Sequence, residues 1–209
     1  MIYLNNQMKI ISKFILRVYD NLILYFNKNF YCFLFNLRTF LTNKDGRISY
    51  SSRYDLYFEI NSDHYYSKKV RSGYFINGVK KRAEDLAIAY NIDKIKFNKN
   101  DIIVDCGANS GDLMNYFNDI TYIGIEAIKH DFKALNLNLK KQNFNNESRC
   151  INEALWSDDN KELDFYEYSE GGDSSFFKPN KYNKIIKVKL KKLSSLLDNS
   201  KKYKLLKID

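Results

Sequence analysis

Residues 101–113 read DIIVDCGANSGDL, and residues 121–126 read TYIGIE. The first stretch opens with a β-branched run, residues 102–104, that has no polar alternation. The second stretch stays apolar until it reaches the acid Glu126. Runs of this kind are typical of strands in a parallel sheet, where both faces of a strand are buried. We therefore expect two neighbouring parallel strands.

A glycine turn separates the two predicted strands. Gly107 and Gly111 bracket it, and a glycine lets the backbone approach a ligand because no Cβ stands in the way. Residues 113–117 follow with helical spacing, which predicts a helix whose first N–H groups and dipole would face a carboxylate or phosphate. Glu126 lies about 20 residues after Asp105, the usual distance for an acid that binds ribose hydroxyls. This order predicts the first half of a nucleoside-binding βαβ unit.

The residues of the turn distinguish between nucleosides. A dinucleotide site normally has G-x-G-x-x-G, whereas residues 105–111 read DCGANSG, with an acid first and no third glycine. Asp105 would repel phosphates but suits an ammonium or sulfonium group. This favours S-adenosylmethionine, whose amino-acid end carries both an amine and a carboxylate. The plain alternative is a βα turn that contains two glycines by chance.

The turn resembles motif I of class I methyltransferases. With the residues that follow, it is more narrowly similar to the FkbM-type family, in which D-x-G-A-N-x-G is the usual form. The resemblance covers residues 102–209 and leaves the N-terminal third without a matched motif. Its further matches are NEALWSDD at 152–159, a hairpin, GGDSS at 171–175, VKLKKLSSL at 188–196 and LLKID at 205–209.

The resemblance implies a Rossmann-like class I methyltransferase fold, an α/β architecture with a parallel sheet and an inserted β-hairpin. It implies transfer of a methyl group from S-adenosylmethionine to a hydroxyl of a sugar or other small acceptor. The expected roles are Asp105 at the amino-acid end, Gly107, Ala108, Asn109 and Gly111 in the backbone cradle, Glu126 on the ribose, Glu153 or Ser157 at the adenine, and Asp209 as the candidate catalytic base.

Two departures from the family pattern affect these expectations. Ala127 follows Glu126 where the family usually has proline, which leaves the carboxylate in place. In the family the strand that ends at Asp209 continues into D-V-E-G and further strands. We therefore expect a fold that is incomplete at the C-terminus, with an exposed strand edge through which the chain self-associates. We also expect the 209-residue chain alone to bind the cofactor weakly and to transfer no methyl group.

Residues 9–41 are apolar and aromatic, with helical and amphipathic spacing. Charged residues interrupt the segment, so no uncharged run reaches the roughly 20 residues that a spanning helix needs. Two interpretations stay open. The helices pack on the domain or a partner, or they lie on a membrane surface as a peripheral contact. We expect a cytoplasmic protein, at the inner face of the membrane under the second interpretation.

The upstream segments divide the chain into an apolar helical extension over 1–45, a pre-core segment over 46–100 and the cofactor-binding domain over 101–209. Residues 43–52 are polar and predict a linker, and residues 54–60 alternate as in an edge strand or hairpin arm. A helix is predicted over 78–90. In class I methyltransferases a helix at this place caps the cofactor. Tyr74, Phe75 and Tyr90 either line that side or simply pack in the core.

The composition limits the function classes. A net charge of +9 with a pI of about 9.2 invites a nucleic-acid partner, but the lysines are scattered rather than clustered in one stripe. We therefore expect no nucleic-acid partner and rank a nucleic-acid methyltransferase low. Three cysteines without C-x-x-C spacing and two histidines predict no metal site. The stronger alternative to an enzyme is a non-catalytic cofactor-binding or interaction protein.

Overall fold

A computed structural model describes residues 15, 16, 18–168 and 174–209. The expectations that fall on residues 9–14, 17 and 169–173 lie outside the described residues. The strands are β1 (Ile48–Ser51), β2 (Leu56–Glu59), β3 (Tyr65–Tyr66), β4 (Ile102–Cys106), β5 (Thr121–Ile125), β6 (Arg149–Ile151), β7 (Ala154–Leu155), β8 (Glu162–Glu167), β9 (Lys184–Lys191) and β10 (Leu205–Ile208). The α-helices are α1 (Lys28–Leu41), α2 (Ser72–Phe75), α3 (Gly78–Ala89), α4 (Lys129–Leu139) and α5 (Leu193–Leu196).

The main sheet contains β10, β4, β5 and β6 in that order, and all of its pairings are parallel. The chain is therefore an α/β protein. In order along the chain, β4, β5, β6 and β10 take the places 1, 2, 3 and 4 of the 3-2-1-4 arrangement of a Rossmann-like sheet. Ile103, Tyr122 and Leu135 are fully buried between the sheet and its helices, as the apolar runs predict. The carboxyl ends of β4 and β10 meet at one edge of the sheet because the strands are parallel.

The helix predicted after the glycine turn is wrong in type and length. Asp112–Tyr116 form a single 3₁₀-helix of five residues. Asn115 Nδ2 donates to the carbonyl of Asp112 at 3.0 Å, and Phe117 has an extended backbone. A side-chain amide that binds nearby carbonyls competes with helical hydrogen bonds, so the turn ends early. The strong helix dipole expected near Gly111 is therefore not provided.

A separate three-stranded antiparallel sheet of β1, β2 and β3 precedes the main sheet. The linker predicted over residues 43–52 is wrong for β1. Of the two alternatives for residues 54–60, the hairpin arm is confirmed and the edge strand is wrong, because β2 pairs antiparallel with both β1 and β3. Tertiary contacts are the reason that residues 48–51 form a strand. Ile48 is buried beside Tyr31 and Phe35 of α1, and its N–H and carbonyl both bond the side chain of Asn36. The core that α1 and this sheet share crosses the boundary expected at residue 45.

The inserted hairpin is confirmed. β8 and β9 pair antiparallel, and β7 joins β9 in parallel. The serines of the GGDSS motif serve the turn: Ser174 Oγ accepts the Tyr168 N–H at 3.0 Å, and Ser175 Oγ accepts the Phe177 N–H at 3.0 Å. The first three residues of that motif lie outside the described residues. The predicted helix over 78–90 is also confirmed, as α3.

Two apolar surfaces face solvent. β10 is an edge strand among the described residues, and Leu206 and Ile208 are exposed on it. Self-association through this edge stays a prediction. One face of α1 packs inward through Tyr31 and Phe35, while the other exposes large apolar side chains. No helix in the described part of the chain has the length and apolar character needed to cross a membrane.

Candidate cofactor site

A cleft of about 290 Å³ opens at the carboxyl ends of β4 and β10. It is lined by the glycine turn with Asp105 and Asp209, and by residues of α2, of α3 and of the segment before α2. The three aromatic residues considered as a cap for the cofactor all line the cleft: Tyr74, Phe75 and Tyr90. The cleft therefore lies where ligands bind in open α/β sheets, beyond the carboxyl ends of parallel strands.

Asp105 is buried and fully engaged inside the protein. Its Oδ2 accepts the Tyr122 hydroxyl at 2.6 Å, and its Oδ1 lies 3.0 Å from Lys207 Nζ. Burial alone would lower the pKa of Lys207, but the Asp105 charge, followed by Asp209 and Tyr90, outweighs this and raises that pKa. Asp105 thus holds a protein ammonium group. The expectation that it repels phosphate loses its force, because Lys207 compensates its charge.

Asp209 is the exposed acid of the cleft. Its Oδ1 accepts the Tyr90 hydroxyl at 2.9 Å, and its Oδ2 lies 3.3 Å from Lys207 Nζ. Lys207 also donates to the carbonyl of Gly107 at 3.1 Å. The side chain of Asp209 is 59% exposed, so it can still meet a ligand group. Burial and the hydrogen bond to Asp209 raise the pKa of Tyr90.

The glycine turn approaches the cleft with left-handed backbone. Gly107 has φ +73° and Gly111 has φ +82°. A Cβ on Gly107 would lie 3.2 Å from Asp209 Cβ, and one on Gly111 would lie 2.2 Å from Met114 Cε. Gly107 therefore keeps the turn close to β10, while Gly111 allows the core to pack beneath it. Ala108 is buried in that core and Asn109 is exposed.

The N–H groups of the turn are already used. Those of Gly107 and Ala108 both donate to the Ile125 carbonyl at 3.0 Å. The Asn109 N–H donates to Glu126 Oε2, and the Ser110 N–H donates to the side chain of Asn109. The Gly111 N–H donates to the carbonyl of Ala108. In this conformation the turn offers a ligand close approach rather than hydrogen-bond donors.

Glu126 is buried beside the turn. Its Oε2 accepts the Asn109 N–H at 2.8 Å and its Oε1 accepts the Ile128 N–H at 2.9 Å. Burial, with the charge of Asp131, raises the pKa of Glu126 to about 7, and the two N–H groups and Lys68 offset this only in part. Each carboxylate oxygen has a second lone pair, so ribose hydroxyls remain possible donors.

The two residues expected at the adenine differ in their surroundings. Glu153 follows β6, and its Oε2 is buried with no hydrogen-bond partner in the described part of the chain. Ser157 is exposed in a bend beyond β7. Because a buried acceptor without a donor is costly, Glu153 fits a ligand amine better than Ser157 does.

The segment before α2 closes over the turn. Asn138 of α4 accepts the Tyr65 N–H at 2.7 Å and donates to the carbonyls of Tyr65 and Ser110 at 2.8 Å. Lys68 Nζ lies 3.0 Å from Asp131 Oδ2. One buried amide thus joins three elements, and no local pattern of residues predicts it.

Sequence reasoning also missed two cations of the cleft, Lys207 and Arg82. The LLKID run contains Lys207 two residues before Asp209. Because residues two apart in a strand face the same side, this spacing indicates that Lys207 lies beside Asp209. The lining side chains comprise five bases and three acids: Lys68, Lys69, Arg71, Arg82 and Lys207 with Asp105, Asp112 and Asp209. This excess of positive charge favours a ligand that carries an anionic group.

A second cavity of about 300 Å³ shares residues 67–69 with the cleft. Its charged groups largely satisfy one another, since Lys28 Nζ lies 2.5 Å from Asp55 Oδ1 and His130 Nε2 lies 3.0 Å from the Asp55 carbonyl. We therefore place the candidate site in the first cleft. The residues that the structure describes contain no group of three or more acids, histidines or cysteines arranged to hold a metal ion.

Comparisons of the chain with protein-family models, with curated proteins and with solved structures give no match. Of the residues expected to bind the cofactor, the cleft is lined by Asp105, Gly107, Ala108 and Asn109. Glu126, Glu153 and Ser157 are not among its lining residues, so the structure does not bring the expected ribose and adenine contacts into the cleft.

Proposed function

We propose that the protein is a methyltransferase that uses S-adenosylmethionine and methylates a hydroxyl group of a sugar or another small acceptor. The observation that carries this proposal is the cleft at the carboxyl ends of β4 and β10, which both the glycine turn and the aromatic residues Tyr74, Phe75 and Tyr90 line. The resemblance to FkbM-type methyltransferases supplies the reaction class.

S-adenosylmethionine, when bound, would supply an electrophilic methyl group on a sulfonium sulfur. The acceptor oxygen would take this methyl group as the S–CH₃ bond breaks, leaving S-adenosylhomocysteine, and the hydroxyl proton would pass to Asp209. The residues of this chain would hold the cofactor and orient it toward the acceptor. Glu126 would bind the ribose, Glu153 the adenine amine, and the glycine turn lets the ligand lie against β4. Most of the rate enhancement then comes from keeping the reacting groups aligned.

Asp209 is the candidate for proton transfer. It lies at the carboxyl end of β10, its side chain lines the cleft, and more than half of it is exposed. Tyr90 and Lys207 fix the position of its carboxylate. A positioned carboxylate that can reach an acceptor hydroxyl suits the role of a general base.

The test has two stages. Calorimetry with S-adenosylmethionine, S-adenosylhomocysteine and NADH should detect binding of the first two and not of the third. Transfer of labelled methyl groups to a panel of sugars and small alcohols then tests the reaction. Turnover would contradict the expected inactivity of the 209-residue chain alone, and Asp209→Asn should reduce it while Asp198→Asn, a surface control, should not.

Tight binding of NADH without binding of S-adenosylmethionine would contradict the cofactor assignment. Binding of S-adenosylmethionine without transfer to any acceptor would instead favour a non-catalytic cofactor-binding protein, the alternative that the sequence leaves open.

A further inference from the structure

The cleft needs a side chain to bind an anionic ligand group. A carboxylate in such a site is usually bound by N–H groups of the turn, but all five N–H groups from Gly107 to Gly111 donate within the chain. The short 3₁₀-helix that follows does not provide a substantial dipole. Any anion in the cleft must therefore be held by cationic side chains.

The cations of the cleft differ in their partners. Lys207 contacts Asp105 and Asp209, and Lys68 contacts Asp131. Lys69 donates to the Leu24 carbonyl at 2.7 Å. These ammonium groups are already committed to acceptors of the protein.

Arg71 is likewise engaged within the chain. Arg82 differs from these residues. Within the described part of the chain no carboxylate or carbonyl accepts a hydrogen bond from it, and its Nε is buried without a partner. Because Arg82 also lines the cleft, the accessible part of its guanidinium can donate to a ligand carboxylate there.

The surroundings of Arg82 hold its guanidinium in place. The guanidinium carbon lies 5.0 Å from the ring centre of Tyr74 and 5.6 Å from that of Phe75. Arg82, Leu86 and Tyr90 are four residues apart on α3 and line the same cleft. Stacking on aromatic rings orients the planar group, and a planar fork of donors matches a carboxylate in two hydrogen bonds.

We propose that Arg82 binds the carboxylate at the amino-acid end of the cofactor. This inference rests on the proposed function and adds to it the residue that recognises the anion.

The experiment compares three ligands that differ in one group: S-adenosylhomocysteine, its decarboxylated analogue, which keeps the amine, and 5′-methylthioadenosine, which lacks both groups. Binding to the wild type, Arg82→Gln and Arg82→Lys is measured by calorimetry. Lys80→Gln is the matched control, because it removes one positive charge from an exposed position on the same helix.

We expect Arg82→Gln to weaken binding of S-adenosylhomocysteine by roughly 10- to 100-fold, the range for a lost hydrogen bond to a charged group. Binding of the two ligands without a carboxylate should change less than about twofold, which also shows that the variant folds. Arg82→Lys should recover part of the loss, and Lys80→Gln should behave like the wild type.

Two results would overturn the inference while the proposed function stands: unchanged binding of S-adenosylhomocysteine by Arg82→Gln, or equal weakening of all three ligands. If the wild type binds none of the three nucleosides, the proposed function fails, and the role of Arg82 toward this cofactor fails with it.

Discussion

Lys207 and Asp105 face each other across neighbouring parallel strands, with Lys207 Nζ 3.0 Å from Asp105 Oδ1. Both side chains are almost completely buried. The pair fixes β10 to β4 at the edge where the cleft opens, and Lys207 extends the contact to Asp209 and to the Gly107 carbonyl. The charge pair is therefore part of the floor of the site as well as of the sheet.

Lys207→Met tests this pair. Removing one partner leaves the buried carboxylate of Asp105 without its counter-charge, so we expect a loss of about 3–5 kcal/mol in the free energy of unfolding. Asp105→Asn combined with Lys207→Met should restore part of the loss, because no unpaired charge then remains. Chemical denaturation measures both. Lys202→Met, at an exposed position, is the control, and a Lys207→Met value equal to this control would contradict the role.

Glu126→Gln tests the ribose contact. If Glu126 accepts hydrogen bonds from the ribose, loss of the negative charge should weaken binding of S-adenosylhomocysteine by roughly 1–3 kcal/mol. Calorimetry at pH 8 measures this, because the Glu126 carboxyl, with a pKa of about 7, is then ionised. Glu147→Gln, on the surface, is the control. Unchanged affinity in Glu126→Gln would limit Glu126 to holding the Asn109 N–H.

The raised pKa of Glu126 also predicts a dependence of stability on pH. The ordinary value of a glutamate is 4.5 and the folded value is about 7, so the folded state holds the proton more tightly. The contribution of the Glu126 carboxyl to the free energy of unfolding is fully present below about pH 4.5 and is lost as pH rises through 7. Between these two pH values the loss is about 1.4 kcal/mol per pH unit. Denaturation curves of the wild type and Glu126→Gln from pH 5 to 8 should diverge in this way. Parallel curves would contradict it.

Asn138→Ala tests the closure over the turn. The substitution leaves a buried N–H and carbonyl of Tyr65 and the carbonyl of Ser110 without their partners. We expect a loss of about 2–3 kcal/mol in stability and faster amide exchange at Tyr65 and its neighbours. Asn136→Ala, on the same helix, is the control. Unaltered exchange at Tyr65 would show that the segment is held by other contacts.

The outer face of α1 tests the membrane interpretation of the N-terminal segment. Phe33, Phe40 and Leu41 are 58%, 69% and 73% exposed, and the chain carries a net charge of +9. An apolar face beside positive charge is expected to bind anionic vesicles, more weakly at high salt. Flotation should therefore recover the wild type with the vesicles and recover less of Phe33→Ser combined with Phe40→Ser. Equal flotation of the two proteins would end this interpretation.

Local patterns determined much of the architecture. The β-branched run before Asp105 predicts β4 because a central parallel strand excludes polar alternation, and the apolar spacing over residues 78–90 predicts α3. Alternation over 162–168 and 185–190 predicts the hairpin of β8 and β9. Each of these signals lies within a few residues of chain, so the sequence alone contains it. The glycine turn and the acid after β5 are local in the same sense.

Tertiary structure decided the rest. Residues 48–51 look like a polar linker, yet they form a strand because α1 packs on Ile48 and Asn36 bonds its backbone. The partner of Asp105, and the lack of a hydrogen-bond acceptor for Arg82 Nε among the described residues, are equally invisible in the sequence, since a pairing depends on which distant residues share a cavity. The sequence determined where the turn and the acids stand along the chain. The folded structure decided which charges are neutralised and which remain to bind a ligand, because burial and distance, not sequence order, set the energy of a charge.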